Sequence, residues 1–157
     1  MENDLYKTPE APLLRDDLPT EQLYAGFWRR FLATILDTVF ILLITIPLTY
    51  LVYGDAFLDS EAFVMGGADV VINYLLPFIL VIAFWIYKSA TPGKMMMGIK
   101  IIDAETGGKP STGQYIGRYF GYILSTIALL LGYFWVIWDK KKQGWHDKLA
   151  KTLVVRT

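Results

Sequence analysis

Three apolar stretches dominate the chain and predict an all-α membrane protein. The first, Phe27–Tyr53, is long enough to cross a bilayer, which takes about 20 apolar residues. The second covers residues 70–87 and carries no charged side chain, and the third covers residues 115–138 and contains Arg118. We therefore predict two transmembrane helices and a third apolar segment whose path the pattern of apolar positions leaves open.

The distribution of Lys and Arg predicts an orientation and raises a conflict about the third segment. Basic residues near spans favour the cytoplasmic side, which puts the N-terminus and residues 88–114 inside and the acidic residues 54–69 outside. The chain after residue 138 holds six Lys or Arg, and a third crossing would place them outside. A helical hairpin that enters from the cytoplasm and returns removes the conflict and is favoured here; a third span is the alternative.

Two short runs outside the apolar stretches have the character of β-strands. Residues 98–103 read GIKIID and residues 152–155 read TLVV, both rich in β-branched side chains, and a turn sequence, ETGG, follows the first run. If the third segment is a hairpin, both runs lie at the cytoplasmic face. We then expect them to pair as a two-stranded ribbon.

Asp37 is the only charge between residues 31 and 53. It follows Arg30 by seven residues, or roughly 10 Å along a helix. A carboxylate in the membrane costs about 2.5–3.5 kcal/mol, so Asp37 needs a partner. Arg118 enters a hairpin from the same side, and we expect Asp37 and Arg118 to pair, either to fix packing or to take part in transport.

Asn73 lies in the second apolar stretch. For its side chain, a hydrogen bond between helices is favoured over a substrate contact.

Composition agrees with a membrane protein and excludes some chemistry. The 157 residues are 54% hydrophobic and 19% charged, with a mean hydropathy of +0.38. Residues 1–22 hold six acids and three prolines and predict a flexible polar tail without a signal-peptide pattern, ahead of a membrane domain at 23–157. With no cysteine and one histidine, we expect no metal site and no cofactor. No catalytic set of side chains or phosphate loop stands out, so we do not expect an enzyme.

The basic tail offers two further predictions. Lys140, Lys141 and Lys142 follow an apolar segment, so we expect them to contact anionic lipid headgroups rather than nucleic acid.

Asp147 lies beside His146, and two interpretations are open. Asp147 caps a helix or pairs with Arg30, or it forms an exposed gate in which His146 titrates near neutral pH.

Four pieces of the chain resemble the RDD family of small bacterial membrane proteins. They are YAGFWRRFLATILD, TPGKMMMGIKIIDAETGGKPST, IGRY and KKKQGWHDKLAKTLVV, and together they run over residues 24–155. The resemblance places the family's naming arginine at Arg30, or at its neighbour Arg29, and the naming aspartates at Asp37 and Asp147. Arg118 matches a position where members also carry arginine.

The resemblance implies a multi-pass protein of the bacterial plasma membrane with a role in transport, and cation/proton exchange for some members. One chain has too few spans to enclose a wide path, so we expect a transporter or exchanger subunit that acts as a homo-oligomer. The alternative is a non-catalytic module that binds another membrane protein or anionic lipid.

Overall fold

The computed structural model describes residues 23–128 and 130–157, so the predicted tail at 1–22 lies outside the described residues. The protein is mostly helical, with one small sheet. Its helices are α1 (Phe27–Tyr53), α2 (Ala56–Asp59), α3 (Gly67–Val70), α4 (Leu76–Lys88), α5 (Pro92–Met96), α6 (Thr112–Ile127), α7 (Leu131–Phe134) and α8 (Trp145–Leu149). A π-helical turn (Val71–Leu75) joins α3 to α4, a 3-10 turn (Trp135–Ile137) follows α7, and the strands are β1 (Ile99–Asp103) and β2 (Thr152–Arg156).

The two predicted transmembrane helices are confirmed as helices that are long and apolar enough to cross a membrane. They are Phe27–Tyr53 and the continuous stretch Gly67–Lys88. Most of their apolar side chains face outward, as expected for helices surrounded by lipid. At the end of α1 far from Arg30, the Asn73 side chain donates a hydrogen bond of 3.1 Å to the hydroxyl of Thr49, so a polar contact joins the two spans.

The predicted pairing of the two short strands is confirmed. β1 and β2 are antiparallel, with Ile101 opposite Val154. The backbone N–H of Ala25 donates to the carbonyl of Val154 at 2.8 Å, so the chain just before α1 runs along the other edge of β2. One face of the sheet packs into a buried core with Trp85 and Tyr115. The sheet therefore sits where the first span begins and the second span ends.

The third apolar segment bends instead of running straight. The axes of α6 and of the short helices that follow it meet at 113°. After the bend the chain folds back, and α8 packs against α6 so closely that a Cβ on Gly121 would lie 2.8 Å from the Cα of His146. β2 then returns the chain to the start of α1. A straight third crossing is not the path of this segment.

This arrangement predicts that both chain ends lie on one side of the membrane. Reporters fused before residue 1 and after Thr157 should give the same topology signal, and a reporter inserted at residue 61, between the two spans, should give the opposite one. The physical reason is that β2 is hydrogen-bonded to the chain that leads into α1. The measurement is reporter activity in intact cells. Opposite signals from the two chain ends would contradict this fold.

Candidate functional site: a buried cluster of arginine and aspartate

Asp147 is the centre of a buried charge cluster. It lies in the first turn of α8 and its side chain is fully buried. Its carboxylate forms ion pairs with Arg30 of α1 and with Arg118 of α6. The same carboxylate accepts a 2.9 Å hydrogen bond from the backbone N–H of Gly144, which caps the start of α8. One side chain thus links the first span, the bent segment and the C-terminal region.

Each arginine makes further contacts that fix its position. The Nε of Arg30 donates to the carbonyl of Ala25 at 2.9 Å, and its Nη2 donates to the carbonyl of Lys142 at 2.5 Å. These bonds tie the start of α1 to the C-terminal region. Arg118 donates from Nη1 to the hydroxyl of Thr152 in β2 at 2.6 Å, and its guanidinium lies over the Trp85 ring. The contact between a planar cation and an aromatic face adds to the ion pair.

The charge of Asp147 follows from a balance of two opposing effects. Burial by itself raises the pKa of a carboxyl, because it disfavours the charged form. The guanidiniums of Arg118 and Arg30 outweigh that effect and hold the pKa of Asp147 well below its usual range. Asp147 is therefore an anion at every physiological pH.

His146 is not the exposed, titrating side chain that one interpretation of the sequence expected. It is buried, and its ring stacks on Tyr122 with 4.1 Å between ring centres. Burial is the main reason that the pKa of His146 falls to about 3: Asp147 opposes this shift, and the nearby cations add to it. The sequence gives no sign of this burial, because it results from the packing of α6 and α7 over α8.

The expected pair of Asp37 with Arg118 is also wrong. Asp37 accepts a 2.5 Å hydrogen bond from the Thr91 hydroxyl and a 2.7 Å hydrogen bond from the backbone N–H of Gly93. Gly93 allows this contact because it has no side chain: a Cβ there would lie 2.2 Å from the carbonyl oxygen of Ala33. The loop after the second span therefore satisfies Asp37 with neutral donors, and Arg118 is left for Asp147.

The remaining predicted residues lie outside the cluster. Arg29 is exposed and donates to the carbonyl of Met97 at 3.1 Å. Asn73 bonds to the far end of α1 and to Asp69, at 2.6 Å. Lys142 donates from Nζ to the carbonyl of Ile137 at 3.1 Å, so its ammonium already has a protein partner.

Lys140 and Lys141 are the exposed members of the predicted lipid-contacting run. The structure thus brings Arg30, Arg118, Asp147 and His146 together. The other predicted residues lie elsewhere.

A cavity of about 350 Å³ adjoins the cluster, between α1 and the bent segment. Arg30, Arg118 and His146 line it together with two residues that the sequence reasoning missed, Lys94 and Tyr122. Tyr122 had a signal, since it follows Arg118 by one helical turn and so shares its face. Lys94 had no such signal, because its place depends on how α5 docks on α1.

Within residues 23–128 and 130–157, no group of three or more acidic, histidine or cysteine side chains could hold a metal ion.

Removing the central charge should destabilise the protein severely. Asp147→Asn leaves two buried guanidiniums without their shared anion, and breaking a buried pair costs about 3–5 kcal/mol of unfolding free energy. The measurement is unfolding in detergent solution, with Glu105→Gln as the control. Glu105 also pairs with a cation, Lys151 at 3.0 Å, but both side chains are exposed, so the loss should stay within about 1 kcal/mol. Equal losses from the two variants would contradict a structural role for the buried cluster.

The burial of His146 predicts a loss of stability in mild acid. The folded form keeps the imidazole neutral down to a pKa of about 3, whereas the unfolded chain protonates near pH 6.5. As pH falls below 6.5 the unfolded state therefore binds the extra proton, and stability drops by up to about 1.4 kcal/mol per pH unit. His146→Phe keeps a ring on Tyr122 and cannot be protonated. Between pH 6.5 and 4.5 its unfolding free energy should fall less steeply than that of the wild type, and parallel curves would refute the assignment.

Comparison with known proteins agrees with this architecture. The family model described as the RDD family matches residues 24–151. The chain is 34% identical to the uncharacterized protein YxaI of Bacillus subtilis (strain 168), over 83% of this chain and 96% of that protein. It is also 34% identical to the uncharacterized membrane protein YteJ of the same organism, over 98% of this chain and 90% of that protein.

A third similarity, to the uncharacterized protein RP437 of Rickettsia prowazekii (strain Madrid E), reaches 40% identity but covers 48% of this chain and 42% of that protein. No solved structure matches. The family model spans most of the chain, including the arginines and aspartate of the buried cluster, and the chain therefore belongs to the RDD family of membrane proteins.

Proposed function

We propose that this protein is a subunit of a membrane transporter that acts as a homo-oligomer, with the cavity beside the charge cluster as its ligand-binding part. The observation that carries the proposal is the cavity itself. It has a volume of about 350 Å³ and is bounded by the first span and the bent segment. That volume is within the range of small-molecule sites. Two spans and a bent segment are too few to enclose a path across a bilayer, so several copies have to build it.

The charges of the cluster argue against the cation/proton exchange that the family resemblance implies for some members. A carboxylate that carries a proton or a cation has to be released by its partners during the cycle. Asp147 is held by two guanidiniums, and both oxygens of Asp37 accept hydrogen bonds from the loop after the second span. Both acids therefore fit a structural role better than a carrier role.

We place the protein in the bacterial plasma membrane with both chain ends in the cytoplasm. The support is the excess of Lys and Arg beside the start of α1, in the loop after the second span and in the C-terminal region. Exposed Lys140 and Lys141 then face anionic headgroups, each charge contributing about 1 kcal/mol.

A second candidate function is a non-transporting module that binds another membrane protein. The observation that favours it is the outward-facing apolar surface of both spans, which any apolar helix could cover. The Asp147 carboxylate stays ionised and paired with two arginines, and this permanent pairing suits a non-transporting module as well. The two candidates differ in whether the cavity has to stay open.

A bulky side chain placed in the cavity distinguishes the transporter from the non-transporting module. Thr34 lines the cavity, whereas Thr38, one turn further along α1, is also exposed but does not line it. Both hydroxyls make the same bond to a carbonyl one turn back, at 3.0 Å and 2.9 Å. In proteoliposomes, wild type and Thr38→Trp should carry at least one of acetate, inorganic phosphate or dodecyl phosphate, and Thr34→Trp should lose most of that flux because the indole occupies the cavity.

The oligomeric state is measured on the same samples by chemical crosslinking in the bilayer. Flux by wild type and Thr38→Trp together with a crosslinked multimer supports the transporter. A wild-type protein that is folded and carries none of these solutes, or equal flux in the two tryptophan variants, overturns it.

A further inference from the structure

Lys94 is a buried cation that faces the cavity without an anionic partner among the described residues. It is 7% exposed, on α5, and it lines the cavity beside Arg118 and Tyr122. Its ammonium lies 5.2 Å from the centre of the Trp85 ring and 5.8 Å from that of Tyr122. Within residues 23–128 and 130–157 it forms no ion pair and no side-chain hydrogen bond. Two aromatic faces compensate only part of the hydration that the ammonium loses.

The charge around the cavity is positive. Arg30, Lys94 and Arg118 line it, and Asp147 is the carboxylate that they surround. Even if Asp37, which is held by the loop and lines a separate recess, is counted as well, three cations face two anions, and one positive charge is left over. A surplus charge in a site with little water is unfavourable unless an anion enters.

Apolar side chains form another large share of the cavity wall. Phe27 stacks on Phe134 with 5.5 Å between ring centres and on Phe31 with 5.8 Å, and all three rings line the cavity. Leu130 and Val136 complete this side. The cavity wall thus combines cationic side chains with aromatic rings, which suits a ligand with a charged end and an apolar end.

We infer that the cavity binds an amphiphilic anion, with a carboxylate or phosphate group at Lys94 and an apolar chain along the phenylalanine rings. The inference deepens the proposed function by naming the class of its ligand. Anions of this class come from two sources, the headgroups of bilayer lipids and free amphiphilic acids.

The test measures binding directly, so it is independent of flux. Trp85 lies under two cations of the site, Lys94 and Arg118, and replacing the other four tryptophans with phenylalanine leaves it as the single tryptophan. The protein is placed in nanodiscs of phosphatidylcholine. Three bromine-labelled quenchers are then titrated: dodecanoate, phosphatidylglycerol with brominated chains, and phosphatidylcholine with brominated chains as the probe without net charge.

Lys94→Gln is the variant, and Lys109→Gln, in an exposed turn, is its matched control. The wild type should show saturable quenching by an anionic probe and only weak quenching by brominated phosphatidylcholine. Lys94→Gln should weaken the anionic affinity by about ten-fold, or about 1.4 kcal/mol, because it removes one charge-assisted hydrogen bond. Lys109→Gln should match the wild type, and Lys94→Arg should retain most of the affinity.

Saturation by phosphatidylglycerol identifies a lipid headgroup as the source of the anion, and saturation by dodecanoate alone identifies a free acid. Equal quenching by the anionic and the uncharged probes in the wild type overturns the inference, and this comparison needs no variant. An unchanged affinity in a folded Lys94→Gln protein overturns it too. Absence of flux in the folded wild type, together with intact anion binding, would reject the transporter and leave the anion site standing.

Discussion

Asp147 places a single carboxylate between two guanidiniums that come from distant parts of the chain, Arg30 in the first span and Arg118 in the bent segment. Neither arginine could stay buried beside apolar helices without that anion, and the anion could not stay buried without them. The same carboxylate caps α8, and Arg30 also donates to the carbonyl of Ala25, just before α1, and to that of Lys142 in the C-terminal region. The cluster therefore holds together three elements that the bilayer alone would not order.

A second contact sets the position of the loop between the second span and the sheet. Asp37 receives two hydrogen bonds from that loop, and Gly93 lets the backbone approach the first span closely enough to donate them. This contact satisfies the only acid inside the first span. It also orients the next residue, Lys94, toward the cavity beside Tyr122. An acid that looks functional in the sequence thus has a structural role, and a lysine that looks like part of a basic loop lies at a candidate site.

The membrane explains why so much of this small protein is devoted to pairing charges. In water an exposed ion pair contributes little, because each charge is already hydrated. Next to hydrocarbon an unpaired charge is costly, so each one has to be matched by a partner or by a ligand. Asp37 and Asp147 are matched within the protein. Lys94 has no anionic partner among the described residues, and this imbalance is the basis of the proposed binding site.

Features that depend on neighbouring residues could be predicted from the sequence alone. Apolar length predicted both spans, and β-branched runs predicted the strands that pair. The charge distribution favoured a third segment that turns back, and family motifs pointed to Arg30 and Asp147. Which charged side chains pair with each other became visible in the folded protein and not in the sequence. Arg118 pairs with Asp147 and not with Asp37, because a glycine-containing loop already occupies Asp37. His146 is buried, and Lys94 faces a cavity, because helices distant in the chain pack around them. Local sequence patterns specify which face of a helix or strand is apolar. The partner of a buried charge depends instead on how segments that are distant in the chain pack together, and local patterns carry no information about that packing.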